Sequence, residues 1–146
     1  MKIAVPKEYD AGETRVPMIP ANVKKLTARG AEVAVESLMG ESAGFSDEDY
    51  RSAGASISGD RKTLLSSADM VLRIRKPPLE EIEWMKAGCI HISYLDPFNE
   101  RVLLLKLLSR GISAISMEMI PRTTRAQKMD ALSSQASLAG YVAVIV

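Results

Sequence analysis

Short β-branched runs alternate with longer amphipathic stretches along this chain, and no other feature of the sequence constrains its fold so strongly. Side chains alternate faces every residue in a strand and return to one face every 3.6 residues in a helix, so the switching of period marks successive elements. Strands are predicted at Lys2 to Val5, Glu32 to Glu36, Ala55 to Ser58, Met70 to Ile74, Cys89 to Tyr94 and Ile112 to Ser116. Helices are predicted between them. Pro20 opens one that runs to Ala28 with Val23 and Leu26 on one face, and Gly30 stops it. Ser46 followed by Asp49 reads as an acidic capping box for a short helix to Ala53, ended by Gly54. Further helices cover Lys62 to Ser67, Leu79 to Lys86 after the breaker Pro77-Pro78, and Glu100 to Arg110 on Val102, Leu103, Leu105, Leu107 and Leu108. A final helix begins near Asp130.

Strands of about five residues, each followed by a helix and joined by short loops, imply an α/β fold: a doubly wound, mostly parallel sheet covered by helices on both faces, Rossmann-like or flavodoxin-like. At 146 residues the chain is one ordinary domain, able to bury about 70% of its unfolded surface without disulfides or metal. No repeat or low-complexity linker divides it. The last helix is still apolar at its end, with Leu138, Val142 and Ile145 at spacings of four and three. Such a helix needs a partner. Periodicity leaves two readings open: it docks on this sheet, or it starts a connection into a further domain.

Charge and cysteine usage exclude several functions. Nineteen Lys and Arg against eighteen Asp and Glu give a formal charge of +1, without the basic excess that drives binding to nucleic acid or anionic lipid. Cys89 and His91 are the only residues of their kinds, so no His/Cys zinc site and no disulfide can be assembled. A reducing cytoplasm fits. No window reaches the roughly 18 apolar residues of a membrane span, and the first residues lack a signal-peptide core, so the chain is expected to be soluble without inserting into a membrane.

In doubly wound sheets ligands gather beyond the carboxyl ends of the strands. The predicted loops at that edge carry Lys7 and Arg15, then Arg75 and Lys76, then Asp96 and Asn99, then Arg122, Thr123, Thr124, Arg125, Gln127 and Asp130. Taken singly each reads as a solvated loop charge; together they suggest an anion-friendly rim. There is no phosphate-cradling turn, since no G-x-G occurs and Phe45 follows Gly44 where a P-loop needs lysine. His91, between Ile90 and Ile92, reads as a structural histidine, and Cys89 as core. Ser133 and Ser134 have no histidine in reach to activate them, and Met117, Met119 and Met129 are expected to pack. The oddest stretch is PRTTRAQKMDALSSQ, Pro121 to Gln135, a long polar loop between two apolar runs where a short turn would suffice.

Three segments together resemble one family: MKIAVPKE followed by ETRVPMIP, then ADMVLRIRKP, and above all MEMIPRTTRAQKMDALSSQASLAGY. They are similar to the N-terminal part of the alpha subunit of proton-translocating NAD(P) transhydrogenase, a relative of alanine dehydrogenase. The resemblance covers essentially the whole chain, and the loop from Pro121 to Ser134 is its specific part. It implies transfer of hydride between NAD(H) and NADP(H), coupled to proton movement. By that resemblance the loop helps to hold the NAD nicotinamide and its ribose against an NADP-binding subunit. Arg122 and Asp130 would pair and position the carboxamide, Gln127 would contact the ribose, Ser133 would add a hydrogen bond, and Thr123 and Thr124 would line the pocket. Arg122, Gln127 and Asp130 are thus the expected catalytic residues. A bland alternative makes Arg122 and Asp130 a brace that caps the last helix. Alanine dehydrogenases place an arginine, a lysine and a histidine on their substrate; Arg15 fits the first, but Arg75 stands for the lysine and Asp96 for the histidine, which disfavours amino-acid oxidation.

The resemblance also implies residues 1–130 as an α/β N-terminal domain and 131–146 as the start of a helix towards a glycine-rich NAD domain. Such a chain alone would be inactive. NAD would be shared with that further domain, and NADP would sit on a partner subunit. The expected partners are the membrane and NADP-binding parts of the enzyme and a second copy in a homodimer, at the cytoplasmic side of the inner membrane. Two other readings remain: a catalytically silent α/β module that binds a partner or an anion, and a fragment of an alanine-dehydrogenase-like oxidoreductase.

Overall fold

A computed structural model describes residues 1–145. Six strands form one sheet: β1 (Lys2–Val5), β2 (Glu32–Glu36), β3 (Ser56–Ser58), β4 (Met70–Leu72), β5 (Ile90–Ser93) and β6 (Ser113–Ser116). Their order is β3-β2-β1-β4-β5-β6 and every pairing is parallel. Between them run α1 (Pro20–Thr27), α2 (Asp47–Ser52), α3 (Arg61–Ser66), α4 (Leu79–Trp84) and α5 (Arg101–Ser109), and α6 (Ala131–Ile145) follows β6. The doubly wound α/β fold read from the sequence is the fold observed, with a sheet that is parallel throughout.

Alternation along the strands divides the core in two. Ile3, Val5, Val33 and Val35 point to one face, where they meet Val23 of α1 and Tyr50 of α2. Ala4, Ala34 and Val71 point to the other, against Leu64 and Leu65 of α3, Ile82 of α4, and Leu103 and Leu107 of α5. Truncating a leucine or isoleucine in such a core costs about 2–5 kcal/mol. Tyr50 is fully buried and its hydroxyl donates to the Met18 carbonyl at 2.9 Å, as a buried phenol requires. The predicted capping box is present: Ser46 Oγ accepts from the Asp49 amide, and the Asp49 carboxylate accepts from the Ser46 amide at 2.7 Å. Gly54 follows α2 with φ +95°, which explains a glycine stop there. Gly40 is held for another reason, since a Cβ on it would lie 2.5 Å from the Tyr50 ring.

β6 is an edge strand with Ser113, Ala114 and Ile115 exposed. α6 beyond it does not dock on the sheet. From Leu132 onward its described residues are exposed, and its principal contact is the short turn Met117–Met119. Met119 and Met129, expected to pack, are exposed as well, since no element among the described residues covers them. No helix among the described residues is long and apolar enough to cross a membrane.

Candidate functional site

The polar loop leaves β6 through the turn Met117–Met119 and re-enters regular structure at α6. Its interior is a series of tight turns: the Thr123 amide bonds the Pro121 carbonyl, the Ala126 amide the Thr123 carbonyl, and the Met129 amide the Ala126 carbonyl. Ala126 is the one buried residue between Pro121 and Met129, and its small side chain pins the loop while its neighbours face solvent. Asp130 sits immediately before α6 in an extended conformation. Its Oδ1 accepts from the amides of Leu132 at 3.0 Å and Ser133 at 3.3 Å, the geometry of an N-cap. Its Oδ2 accepts from the Ser133 hydroxyl at 2.6 Å. These bonds, with Ser133 foremost, hold the Asp130 carboxyl below the usual carboxylate range, and the Arg122 charge adds a smaller push in the same direction.

Arg122, Thr123, Thr124, Gln127, Asp130 and Ser133 together line an open cavity of about 280 Å³. The six residues singled out in the loop are therefore neighbours in space. One detail differs from the expectation. Arg122 and Asp130 form no ion pair; the carboxylate is committed to the α6 amides and to Ser133, which leaves the guanidinium available. Ser133 donates its own proton to Asp130, so towards anything in the cavity its hydroxyl oxygen can only accept.

The rest of the rim is less anion-friendly than its cations suggested. Arg15 forks onto Glu13 with two bonds of 2.7 Å, and Arg75 Nε donates to the same carboxylate at 2.8 Å. The Glu13 side chain is 2% exposed between them, and its hydrogen bond from Arg15 is the leading cause of a pKa held down to about 2. Lys76 is paired with Glu100. Asp96 adopts φ +51° and accepts from the Asn99 amide group at 2.8 Å, while its own backbone N–H donates to Glu118 at 2.9 Å. Arg15, Arg75 and Asp96 thus lie on one edge, each engaged within the protein.

Beneath the rim runs a buried ionic lattice that sequence reasoning missed. Arg61 of α3 bridges Glu36, at the end of β2, and Glu81 of α4; Arg73 bridges Glu81 and Glu8. Glu8 also accepts from the Ile74 amide at 2.6 Å. The partners are 8 to 66 residues apart, too far for any helical spacing to reveal. His91 is fully buried, with Nε2 3.0 Å from Ser93 Oγ. Burial, assisted by the charge of Arg73, pushes its pKa down to about 3, so the ring is neutral near pH 7. Burial likewise pushes the Cys89 thiol up to about 11. Neither residue faces the loop cavity, and both are core, as their sequence setting implied.

Known proteins resemble this chain over almost all its length. It is 41% identical over 145 residues to an NAD(P) transhydrogenase subunit alpha of Cereibacter sphaeroides, covering 99% of this chain and 28% of that protein. An alanine dehydrogenase of Halomonas elongata is 37% identical over 144 residues, 38% of its own length. The crystal structure of transhydrogenase from Sinorhizobium meliloti superposes with a TM-score of 0.92 at 37% identity, over 99% of this chain and 43% of that one. The chain therefore spans less than half the length of the relatives it matches. It is homologous to the N-terminal part of the transhydrogenase alpha subunit, and thereby related to oxidoreductases that use nicotinamide nucleotides. Residues 4–139 match the family described as alanine dehydrogenase/PNT, N-terminal domain, and it is to this family that the chain belongs.

Proposed function

We propose that this chain is part of the NAD(H)-binding component of a proton-translocating transhydrogenase, which moves hydride between NAD(H) and NADP(H). The observation that carries this reading is the convergence of Arg122, Thr123, Thr124, Gln127, Asp130 and Ser133 on one cavity at the start of α6. Their chemistry suits the nicotinamide end of a dinucleotide. A guanidinium, two hydroxyls and an amide can donate to a carboxamide oxygen or to ribose hydroxyls, and the amide and hydroxyl oxygens can accept in return. The sequence has no G-x-G turn of the kind that brings backbone amides close to a pyrophosphate. The nicotinamides supply the hydride chemistry when bound. In this reading Gln127 orients the ribose, Arg122 holds the carboxamide, and Asp130, fixed by the helix amides, keeps Ser133 in place.

Residues 1–130 then form the N-terminal domain and α6 begins the connection to a second domain that holds the rest of NAD. NADP belongs to a partner subunit, and the assembly, a homodimer of full subunits, lies on the cytoplasmic side of the inner membrane through its partners. Direct transfer between two nicotinamides needs close positioning and no proton relay, which agrees with Arg75 and Asp96 at places where an alanine dehydrogenase uses lysine and histidine. Gln127→Asn tests the role of the loop. It shortens the side chain by one methylene on an exposed turn, so folding stays unchanged while hydride transfer in the reconstituted complex falls by about tenfold or more. Wild-type turnover in that variant removes Gln127 from the site.

A further inference from the structure

All-parallel sheets occur almost only with both faces covered, and part of this sheet is bare. α1 and α2 pack on the face of Ile3, Val5, Val33 and Val35, over β1 to β3, and α3, α4 and α5 pack on the opposite face. The register carries the first face on across the sheet. Ile3 pairs with Met70, Met70 with Ile90 and Ile90 with Ser113, so Met70, Leu72, Ile90, Ile92 and Ile115 lie on the side of Ile3 and Val5. No helix among the described residues packs over this β4–β6 portion. The first four of these side chains are half-buried, Ile115 is 44% exposed, and none carries a charge.

α6 has the matching chemistry. It contains no charged residue, and Leu138, Tyr141, Val142 and Ile145 form one exposed apolar stripe along it. With 15 residues it is about 22 Å long, enough to lie across three strands spaced about 4.8 Å apart. Yet it stands clear of its own sheet. The tight turns between Pro121 and Asp130 and the Asp130 cap fix where it starts, and it leans on the turn Met117–Met119 instead. The helix and the bare face are thus two unpartnered apolar surfaces of one chain that do not meet within it.

We propose that two copies of this chain exchange α6, each laying its Leu138–Ile145 stripe on the bare β4–β6 face of the other. The exchange is reciprocal, so a two-fold axis closes it without forming an open filament. Two helix seats, each about 22 Å long and 10 Å wide and counted on both surfaces, bury on the order of 1,000 Å², the size a specific interface needs. A neutral stripe suits a neutral face, which offers a charged peptide nothing to pair with. The proposal does not depend on the hydride-transfer reading.

Sedimentation equilibrium and methyl NMR on the 146-residue chain test it. A dimer is expected. In a sample mixing isotope-labelled with unlabelled chain, nuclear Overhauser effects should join the Ile92 and Ile115 methyls of one copy to Leu138 and Val142 of the other. Ile115→Lys on the bare face should weaken dimerisation by about tenfold or more, and so should Leu138→Lys with Val142→Lys on α6. All three residues are exposed, so circular dichroism stays unchanged. Mixing the two variants leaves one of the two seats intact, so the mixture should associate at concentrations where neither variant does alone. Should Ile115→Lys not fold, the mixed-label sample decides by itself. A wild-type chain still monomeric at about 1 mM, an Ile115→Lys dimer as tight as the wild type, no association on mixing, or Ile92 and Ile115 contacts confined to one copy each overturns the exchange.

Discussion

His91 illustrates how one residue sets a pH response for the whole fold. An unfolded histidine takes up a proton near pH 6.5, whereas the buried ring resists protonation until about pH 3. Between those values the unfolded state binds the extra proton, so this residue's contribution to stability is full above pH 6.5 and is lost as the pH falls towards 3. The slope approaches about 1.4 kcal/mol per pH unit for one proton. His91→Gln, which can still bond Ser93, should flatten the stability profile between pH 6.5 and 4.5, measured by urea unfolding; an unchanged slope would show that the proton uptake lies elsewhere. The sequence already indicated a structural histidine between two isoleucines, but not its link to Arg73, which directly follows the neighbouring strand β4. Arg75 and Asp96 argue at the same scale. An arginine cannot give up its proton near neutrality, and Arg75 is tied to Glu13 in any case. A complete subunit carrying this chain should therefore show no reductive amination of pyruvate with NADH and ammonia, and rates of order 1–1000 per second would move the chain to its alanine dehydrogenase relatives.

Elements were legible where short-range patterning defines them, and their ends were not. The strand read as Met70 to Ile74 stops at Leu72, because the Ile74 amide turns to the Glu8 carboxylate, 66 residues away in sequence. The helix read as far as Lys86 ends at Trp84, where Met85 is already extended. The capping box, by contrast, lies within four consecutive residues and was visible at once. The ionic lattice that joins the elements has consequences of its own. Arg61 is the only cation of α3 in contact with both Glu36 and Glu81, whose side chains are nearly buried. Arg61→Met would leave two carboxylates without that counter-charge, an effect of about 3–5 kcal/mol. Arg51→Met, which breaks an exposed pair with Glu48, should cost less than about 1 kcal/mol. Equal, small effects in chemical denaturation would mean that water or a shifted Arg73 compensates for Arg61, and that the lattice is not what ties α3 to β2 and α4.

At the scale of the molecule, the proposed reading makes the loop cavity one half of a dinucleotide site. The sequence disclosed the polar loop and the absence of a glycine turn, because both are local; it left open whether the last helix docks, because an apolar period is the same for a helix on this sheet and for one facing elsewhere. In the structure α6 stands clear, with Leu138, Tyr141, Val142 and Ile145 exposed and no charged residue along it. Two consequences follow for the isolated 146-residue chain. Pyrophosphate contacts supply much of a dinucleotide's anchoring, and in the proposed reading the loop cavity takes only the nicotinamide end. NADH should therefore bind with a dissociation constant of about 1 mM or weaker, near 4 kcal/mol. The exposed face of α6 should meanwhile drive association, since uncovered apolar patches favour contact. Leu138→Lys with Val142→Lys should return the chain to a monomer without altering the sheet, because neither residue touches the core. Calorimetry and sedimentation on the wild type and the double variant measure both effects. Micromolar NADH binding by a wild-type monomer would show that the chain holds a whole cofactor site, and that the loop cavity is not the half-site proposed for it.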